Sequence, residues 1–294
     1  MKDHQLFSIL IPSWNNLEFL KLCVASIRKN SKFDHEILIH VNDGSDGTLE
    51  WVKSEGLKYT HSAENVGVCF ALNGLRPLAT TDYILFMNDD MYVCPGWDEA
   101  LFDEIKNIGH KMFFLSSTLI QPRPFFCKSV IAPADFGQSV ESFDEERLLR
   151  EYMSLQHYDW KGSTWPPNVV HRDVWDLVGG YSIEYSPGMY SDPDFSAKLW
   201  KAGVRLFKGV DRSRVYHFEA RFTHRIVKND GSTQFLRKWG ITSGSFIRDI
   251  LQRGEPWDSD RDMSDKLKKD LLRSKLKKAL TIFRDVRIKN IWED

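Results

Sequence analysis

Apolar positions along the chain switch period in a regular alternation. Short apolar runs at residues 6–11, 36–41, 57–61, 81–87 and 111–117 read as strands, and the stretch 83–87 reads as one buried on both faces. Between the first two, Phe19, Leu20, Cys23, Val24 and Ile27 recur at helical spacing. Further helices are predicted over residues 48–55, 65–78 and 97–108. Pro12 is expected to end the first strand, and Asn15, three residues before Glu18, to open the first helix in the manner of a capping box. Strands alternating with helices predict an α/β protein with a mostly parallel sheet and right-handed crossovers.

The rhythm breaks at residue 121. Pro122, Pro124 and Pro133 predict a loop over the sheet edge for residues 121–143, and residues 160–167 are aromatic and turn-forming. Helices follow over residues 173–178, 192–203 and 232–251, with strands at 205–209 and 213–218. Residues 264–290 hold ten lysines and arginines against three aspartates, with an apolar stripe through Leu267, Leu271, Leu272, Leu276 and Leu280. Such a helix packs on its own domain or a second copy, or lies on an anionic membrane surface. Packing is the expectation, because most amphipathic helices in globular proteins face a core.

Composition narrows the class. A chain of 294 residues builds one large α/β domain or two smaller ones. Its net charge of −1 removes any global electrostatic case for nucleic-acid binding. Cys23, Cys69, Cys94 and Cys127 form no Cys-x-x-Cys pair and read as buried hydrophobes in a reducing compartment. The opening MKDHQLF, with Asp3 early, predicts no secretory signal, and no apolar run is long enough to span a membrane. The expected location is therefore cytoplasmic, with peripheral membrane contact as the variant the basic helix would add.

The densest candidate chemistry follows the strand at 83–87. Asn88, Asp89 and Asp90 come with no spacer, at the carboxyl end of a buried strand. Adjacent carboxylates there repel each other and are costly to desolvate, and a divalent cation is the usual compensation. Open α/β sheets bind ligands at that edge. A simpler reading makes the two aspartates a turn, or a cap for the helix beginning at Trp97. His171-Arg172-Asp173 suggests a kinase loop, but Val178 stands where that motif needs Asn.

Six separated pieces then add up: SILIPSWNN (8–16), VNDGSDGT (41–48), NVGVCFALNGL (65–75), FMNDDM (86–91), GGYSIEYSPGMYSDPDFS (179–196) and VYHF (215–218). Their order and spacing resemble the family 2 glycosyltransferases of GT-A fold, over roughly residues 6–220. The resemblance implies a Rossmann-like, nucleotide-binding α/β sheet flanked by helices, with a C-terminal helical extension. It also implies metal-assisted, inverting transfer of a sugar, hexosyltransferase in type, from a nucleotide-diphosphate donor to a glycan or lipid-linked acceptor. The expected division is a catalytic region 1–230, split into a donor half 1–118 and an acceptor half 119–230, and an extension 231–294.

By the same resemblance Asn88-Asp89-Asp90 matches the Asp-x-Asp-type motif, with Asp90 on Mn2+ or Mg2+ and Asp89 near the ribose. Pro12, Ser13, Trp14 and Asn15 match the first nucleotide-binding loop, and Asn65 the next. The base contact falls to Asn42 or Asp43, because the usual acidic pair is Asn42-Asp43 here. Asp192 matches the general base, with Asp194 its competitor and a helix N-cap the plain alternative. His217 matches a metal-binding histidine, and Arg221, Arg225 and Lys228 follow where a diphosphate would lie. Two other readings remain: a nucleotidyltransferase, for which the Gly-rich loop after the first strand is missing, and a non-catalytic nucleotide- or sugar-binding protein.

Overall fold

Phe7, Ile9 and Ile11 of the first strand enter one apolar cluster and Leu10 enters another, and all four are fully buried. That alternation requires cover on both faces of the sheet. The computed structural model, which describes residues 5–219, 229–258 and 264–281, supplies it.

The elements in chain order are β1 (Phe7–Trp14), α1 (Leu17–Asn30), β2 (Glu36–Asn42), α2 (Thr48–Ser54), β3 (Lys58–Ser62), α3 (Gly67–Leu75), β4 (Tyr83–Phe86) and β5 (Met91–Val93). Then come α4 (Trp97–Ile108), β6 (Phe113–Ile120), β7 (Val130–Ile131), α5 (Glu145–Glu151), β8 (Trp160–Lys161), β9 (Asn168–His171) and α6 (Arg172–Val178). The chain continues through α7 (Ser191–Lys201), β10 (Leu206–His217), α8 (Gly231–Trp239), the single turn α9 (Ser243–Ser245) and α10 (Ser264–Leu280). Helices α1, α2 and α4 cover one face of the sheet through Leu20, Val24, Val52, Trp97 and Leu101. Helices α3, α6, α7 and α8 cover the other through Leu72, Trp175, Phe195 and Phe235. A third cluster, around Phe136, Leu148, Tyr216 and Phe218, lies beneath the region joining β6 to β8.

The strand order is β3-β2-β1-β4-β9-β6-β10-β5. The α/β sheet is as expected, but it is mixed. Strand β9 lies antiparallel between β4 and β6, and β5 runs antiparallel to β10. Both are short: β9 is four residues behind two prolines, and β5 is three residues directly after Asp90. Pro12 does not end β1, which continues to Trp14. Leu10 turns its carbonyl towards β4, accepting from the Met87 N–H, and the β1–β4 ladder stops there. Pro12 faces the same side two residues later, where no partner needs its missing N–H.

Other boundaries move for local reasons. Asn15 does not cap α1. It adopts a positive φ of 45°, and the Leu17 N–H is received instead by Asp46 Oδ2 at 3.0 Å. The strands expected at 205–209 and 213–218 are one strand, β10, with a register shift between Val210 and Arg214. The helix expected over 232–251 stops at Gly240, whose φ of 72° terminates α8. The predicted loop 121–143 contains the short strand β7.

Helix α10 reverses its expected face. Leu267 packs on the body, but the other buried positions are Asp270 and Ser274. Arg248 ties Asp249 and Asp270 together. Leu272 and Leu276 stay 63% exposed and Leu280 67%. Among the described residues, no helix is long and apolar enough to cross a membrane.

Candidate active site

Parallel pairing in register brings the carboxyl ends of β1, β2 and β4 to one edge, so Ser13–Asn16, Asn42–Asp46 and Asn88–Asp90 share it. Ser13 Oγ donates to Asp89 Oδ2 at 2.7 Å. Asn15 Nδ2 donates to Asp43 Oδ2 at 2.8 Å, and its Oδ1 accepts from the Gly44 N–H at 2.9 Å. Asp43 itself holds φ 62°, which leaves its carboxylate on the rim of the loop. Asn42 is buried and committed elsewhere: its Oδ1 accepts from the Val66 N–H at 2.9 Å, and its Nδ2 donates to the Ser13 carbonyl at 3.3 Å. Asn65 closes a local turn onto the Gly67 N–H at 2.9 Å. Pro12, Trp14 and Asn88 are half-buried along the same edge.

Beside Ser13 sits an acidic pair. Burial pushes the Asp89 carboxyl up to about 7, with the Asp90 charge adding to it, against a downward pull from Ser13 and Asn16. Strand β10 pairs with β5 so that His217 lies opposite Met91. This sets His217 Nε2 3.3 Å from Asp90 Oδ1. Burial alone lowers the His217 imidazole, but the Asp90 charge and hydrogen bond outweigh it and raise its pKa. Nδ1 of the same ring lies 2.9 Å from Gln121 Nε2. Rotating that amide by half a turn makes Oε1 an acceptor for an Nδ1 proton and turns a bare Nε2 lone pair towards Asp90. Three buried polar atoms here have no hydrogen-bond partner: Asn16 Nδ2, Gln121 Oε1 and Glu219 Oε2. Among the described residues no three His, Cys, Asp or Glu side chains form a ready cation cage. Arg221, Arg225 and Lys228 lie outside the described residues.

Asp192 belongs to a second group of side chains. It is the second residue of α7, and Tyr190, at φ 69°, occupies the cap position, so Asp192 does not cap the helix. Burial pushes its carboxyl up to about 7, while the Arg253 charge and the Tyr181 hydroxyl pull it down. Tyr181 OH, Asn168 Nδ2, and Nε and Nη1 of Arg253 are buried without hydrogen-bond partners. Asp194 is different. It is fully buried, accepts from Trp239 Nε1 at 2.8 Å and Ser182 Oγ at 2.6 Å, and pairs with Lys238 at 3.0 Å.

Residues 8–165 match the model of glycosyl transferase family 2. The chain belongs to that family. Its fold is that of GT-A glycosyltransferases, as two solved proteins show. One is S. aureus TarS, residues 1–349, with TM-score 0.57, 13% identity, and coverage of 95% of this chain and 73% of that one. The other is GalNAc-T7 with UDP, GalNAc and Mn2+, at TM-score 0.57 and 14% identity, covering 98% of this chain and 59% of that one. A longer TarS structure aligns at TM-score 0.54 and 15% identity over 95% of this chain and 44% of that one. Among curated proteins no sequence match reaches significance.

In this family 2 glycosyltransferase the loops at Ser13, Asp43 and Asp89-Asp90 lie inside the matched stretch, while Asp192, His217 and Arg253 lie beyond it. Gln121, Asn168, Tyr181, Glu219 and Arg253 escaped the sequence reading. Each is a single polar residue at an element's end or in a loop, with no neighbour in sequence to mark it. Gln121 is the exception in part, since it follows an apolar strand and precedes Pro122.

Proposed function

We propose that this glycosyltransferase moves a hexosyl group from a nucleotide-diphosphate sugar to an acceptor hydroxyl with inversion, Asp192 acting as general base. The observation that carries this is the contrast between two carboxylates on one helix. Asp194 is consumed by Trp239, Ser182 and Lys238, whereas Asp192 is buried beside the Tyr181 hydroxyl and the Arg253 charge and has a pKa raised to about 7. A general base works best with a pKa near the operating pH. In the proposed step the acceptor oxygen attacks the anomeric carbon, and the bond to the diphosphate oxygen breaks on the opposite side. Asp192 takes the hydroxyl proton and the electron pair leaves on the nucleoside diphosphate.

On the donor side, Asp43 is assigned to the base, because the Asn42 amide is already used. The loop Pro12-Ser13-Trp14-Asn15, with Asn65, borders the nucleoside. Ser13 holds Asp89, which with Asn88 would lie beside the ribose, and Asp90 with His217 would hold Mn2+ or Mg2+. Such ions are commonly bound by one or two protein groups together with substrate phosphates, so a two-ligand site suits them. The unpaired Asn16 and Glu219 atoms and the raised Asp89 carboxyl fit a site that awaits a cation and polar ligand atoms. The ion, when bound, neutralises charge on the departing diphosphate.

Residues 1–118 would serve the donor, 119–230 the acceptor, and 231–294 would form an extension completing the acceptor side. A cytoplasmic enzyme resting peripherally on an anionic membrane, through the outer face of α10, suits a lipid-linked acceptor. Calorimetry with UDP, GDP, CDP and dTDP tests the donor assignment. Binding of one of them that requires Mn2+ or Mg2+, and is lost in Asp90→Ala with the fold intact, is the expected result. No nucleotide binding with either ion would overturn it.

A further inference from the structure

The segment carrying Arg253 is held tightly. Gly254 N–H donates to the Lys161 carbonyl at 2.9 Å, and Lys161 N–H returns a bond to Glu255 at 2.8 Å. Arg253 N–H donates to the Ile247 carbonyl at 3.1 Å. A Cβ at Gly162 would stand 2.5 Å from the Arg253 Cα, so the two backbones meet where only glycine fits. Gln252 turns the chain through φ 55° just before. The Arg253 main chain is therefore fixed by backbone contacts, and the side chain starts from a set position.

Its surroundings satisfy that cation only in part, through Cys127. The guanidinium carbon lies 3.7 Å from the Trp165 ring centroid, so one face is covered by an aromatic plane. Nε and Nη1 are buried and donate to nothing. Among the described residues no carboxylate lies within 4.0 Å of Arg253, although its charge is felt at Asp192. Burying a guanidinium without a paired anion is costly. A buried guanidinium with two free donors calls for a charged acceptor, and a carboxylate or phosphate supplies the strongest hydrogen bonds. Tyr181 OH, which acts on Asp192, and Asn168 Nδ2 next to Tyr181 are further buried polar atoms without hydrogen-bond partners.

We infer that Arg253, backed by Trp165, forms an acceptor subsite for an anionic group, so that the sugar receiving the transfer carries a carboxylate or a phosphate. The assignment rests on the reading of Asp192 as the acceptor-side base. Arg253 acts on Asp192, Trp165 and Cys127 rather than on the Ser13–Asp89 pair proposed to meet the donor. Arg253 is thus a binding residue for acceptor specificity.

Ligand-observed NMR on the full chain, saturated with its nucleoside diphosphate and Mn2+, tests this with defined probes. These are glucuronate and galacturonate, glucose 6-phosphate and galactose 6-phosphate, and the neutral parent sugars. At least one anionic probe should bind ten-fold or more tighter than its neutral parent. Arg253→Gln should abolish that preference, and Arg253→Lys should restore part of it. The uronate and phosphate arms tell which anion the site takes. No anion preference in the wild type, or a preference that survives in Arg253→Gln, overturns the proposal. So does a loss of nucleoside-diphosphate affinity in Arg253→Gln, which would move the residue to the donor. Failure of the base reading shows separately, as transfer that persists in Asp192→Asn.

Discussion

Asp192 and Asp194 are two residues apart on α7 and have opposite surroundings. Asp194 sits where removing a carboxylate strands the Trp239 indole N–H and the Ser182 hydroxyl, while Lys238 keeps Glu184 at 2.8 Å, and each buried donor left unpaired costs about 1–3 kcal/mol. Asp194→Ala should therefore lower the denaturation midpoint strongly, as chemical unfolding would measure. Asp192→Asn should leave the fold intact and reduce transfer by about 10²–10⁴-fold, since an amide cannot accept the proton. A raised carboxyl pKa also fixes a sign. Folded Asp192 holds its proton to about pH 7, whereas the unfolded chain releases it near the ordinary 3.8. Its contribution to stability is full below the unfolded value and declines as pH rises to about 7. Asp192→Asn should accordingly match the wild type near pH 4 and become the more stable of the two by pH 8, in paired melting curves. Wild-type transfer should rise through pH 7 as the base ionises. At this scale the acidic pair and Asp192 stand out as candidates in the sequence, because carboxylates clustered after an apolar run or before a helix are conspicuous. The different surroundings of Asp192 and Asp194 were not legible, because they depend on Trp239 and Lys238, forty-odd positions away and brought in by α8.

Elements were legible where they were long. Helix α4 and the strands from β1 to β4 lie close to their expected spans, because burial repeats over several residues and each has a clear stop. Strands β5 and β9 are too short to show a period, and β9 exists because β4 and β6 leave an edge on each side of it. Pro12 misled because a strand interior usually needs every N–H, and here the ladder had already ended. Helix α10 misled in the other direction. Its leucine stripe is real, but Arg248 and Asp270 fix the polar side inward. Leu272, Leu276 and Leu280 then face out, in a surface that also presents Lys268, Lys269 and Lys275. A second copy would bring the same positive charges together, whereas each lysine near an anionic bilayer contributes about 1 kcal/mol. Co-sedimentation with anionic vesicles should retain the wild type and lose a Leu272→Ser/Leu276→Ser variant, and salt should weaken the binding. Equal, salt-insensitive behaviour of the two would remove the membrane from the account.

For the whole molecule, the sheet works by collecting loops. β1, β2 and β4 bring residues from three separate stretches to one edge, and β10 returns from the far half to set His217 against Asp90. Residues after 230 then reach back, through Arg253, to the neighbourhood of Asp192. His217→Ala should weaken cation affinity less than Asp90→Ala does, because it removes a neutral ligand rather than a charged one, and titration calorimetry with Mn2+ and nucleotide would rank them. The central claim is transfer from an activated sugar with Asp192 as base. Its most direct measurement is mass-spectrometric detection of nucleoside diphosphate release from a panel of nucleotide sugars with Mn2+ or Mg2+, run beside Asp192→Asn. The anomeric configuration of the released or transferred sugar is read by NMR in the same reactions. Release from one donor, inverted configuration, and loss of turnover with retained nucleotide binding in Asp192→Asn is the predicted result. Retained configuration, or full turnover in Asp192→Asn, would contradict it.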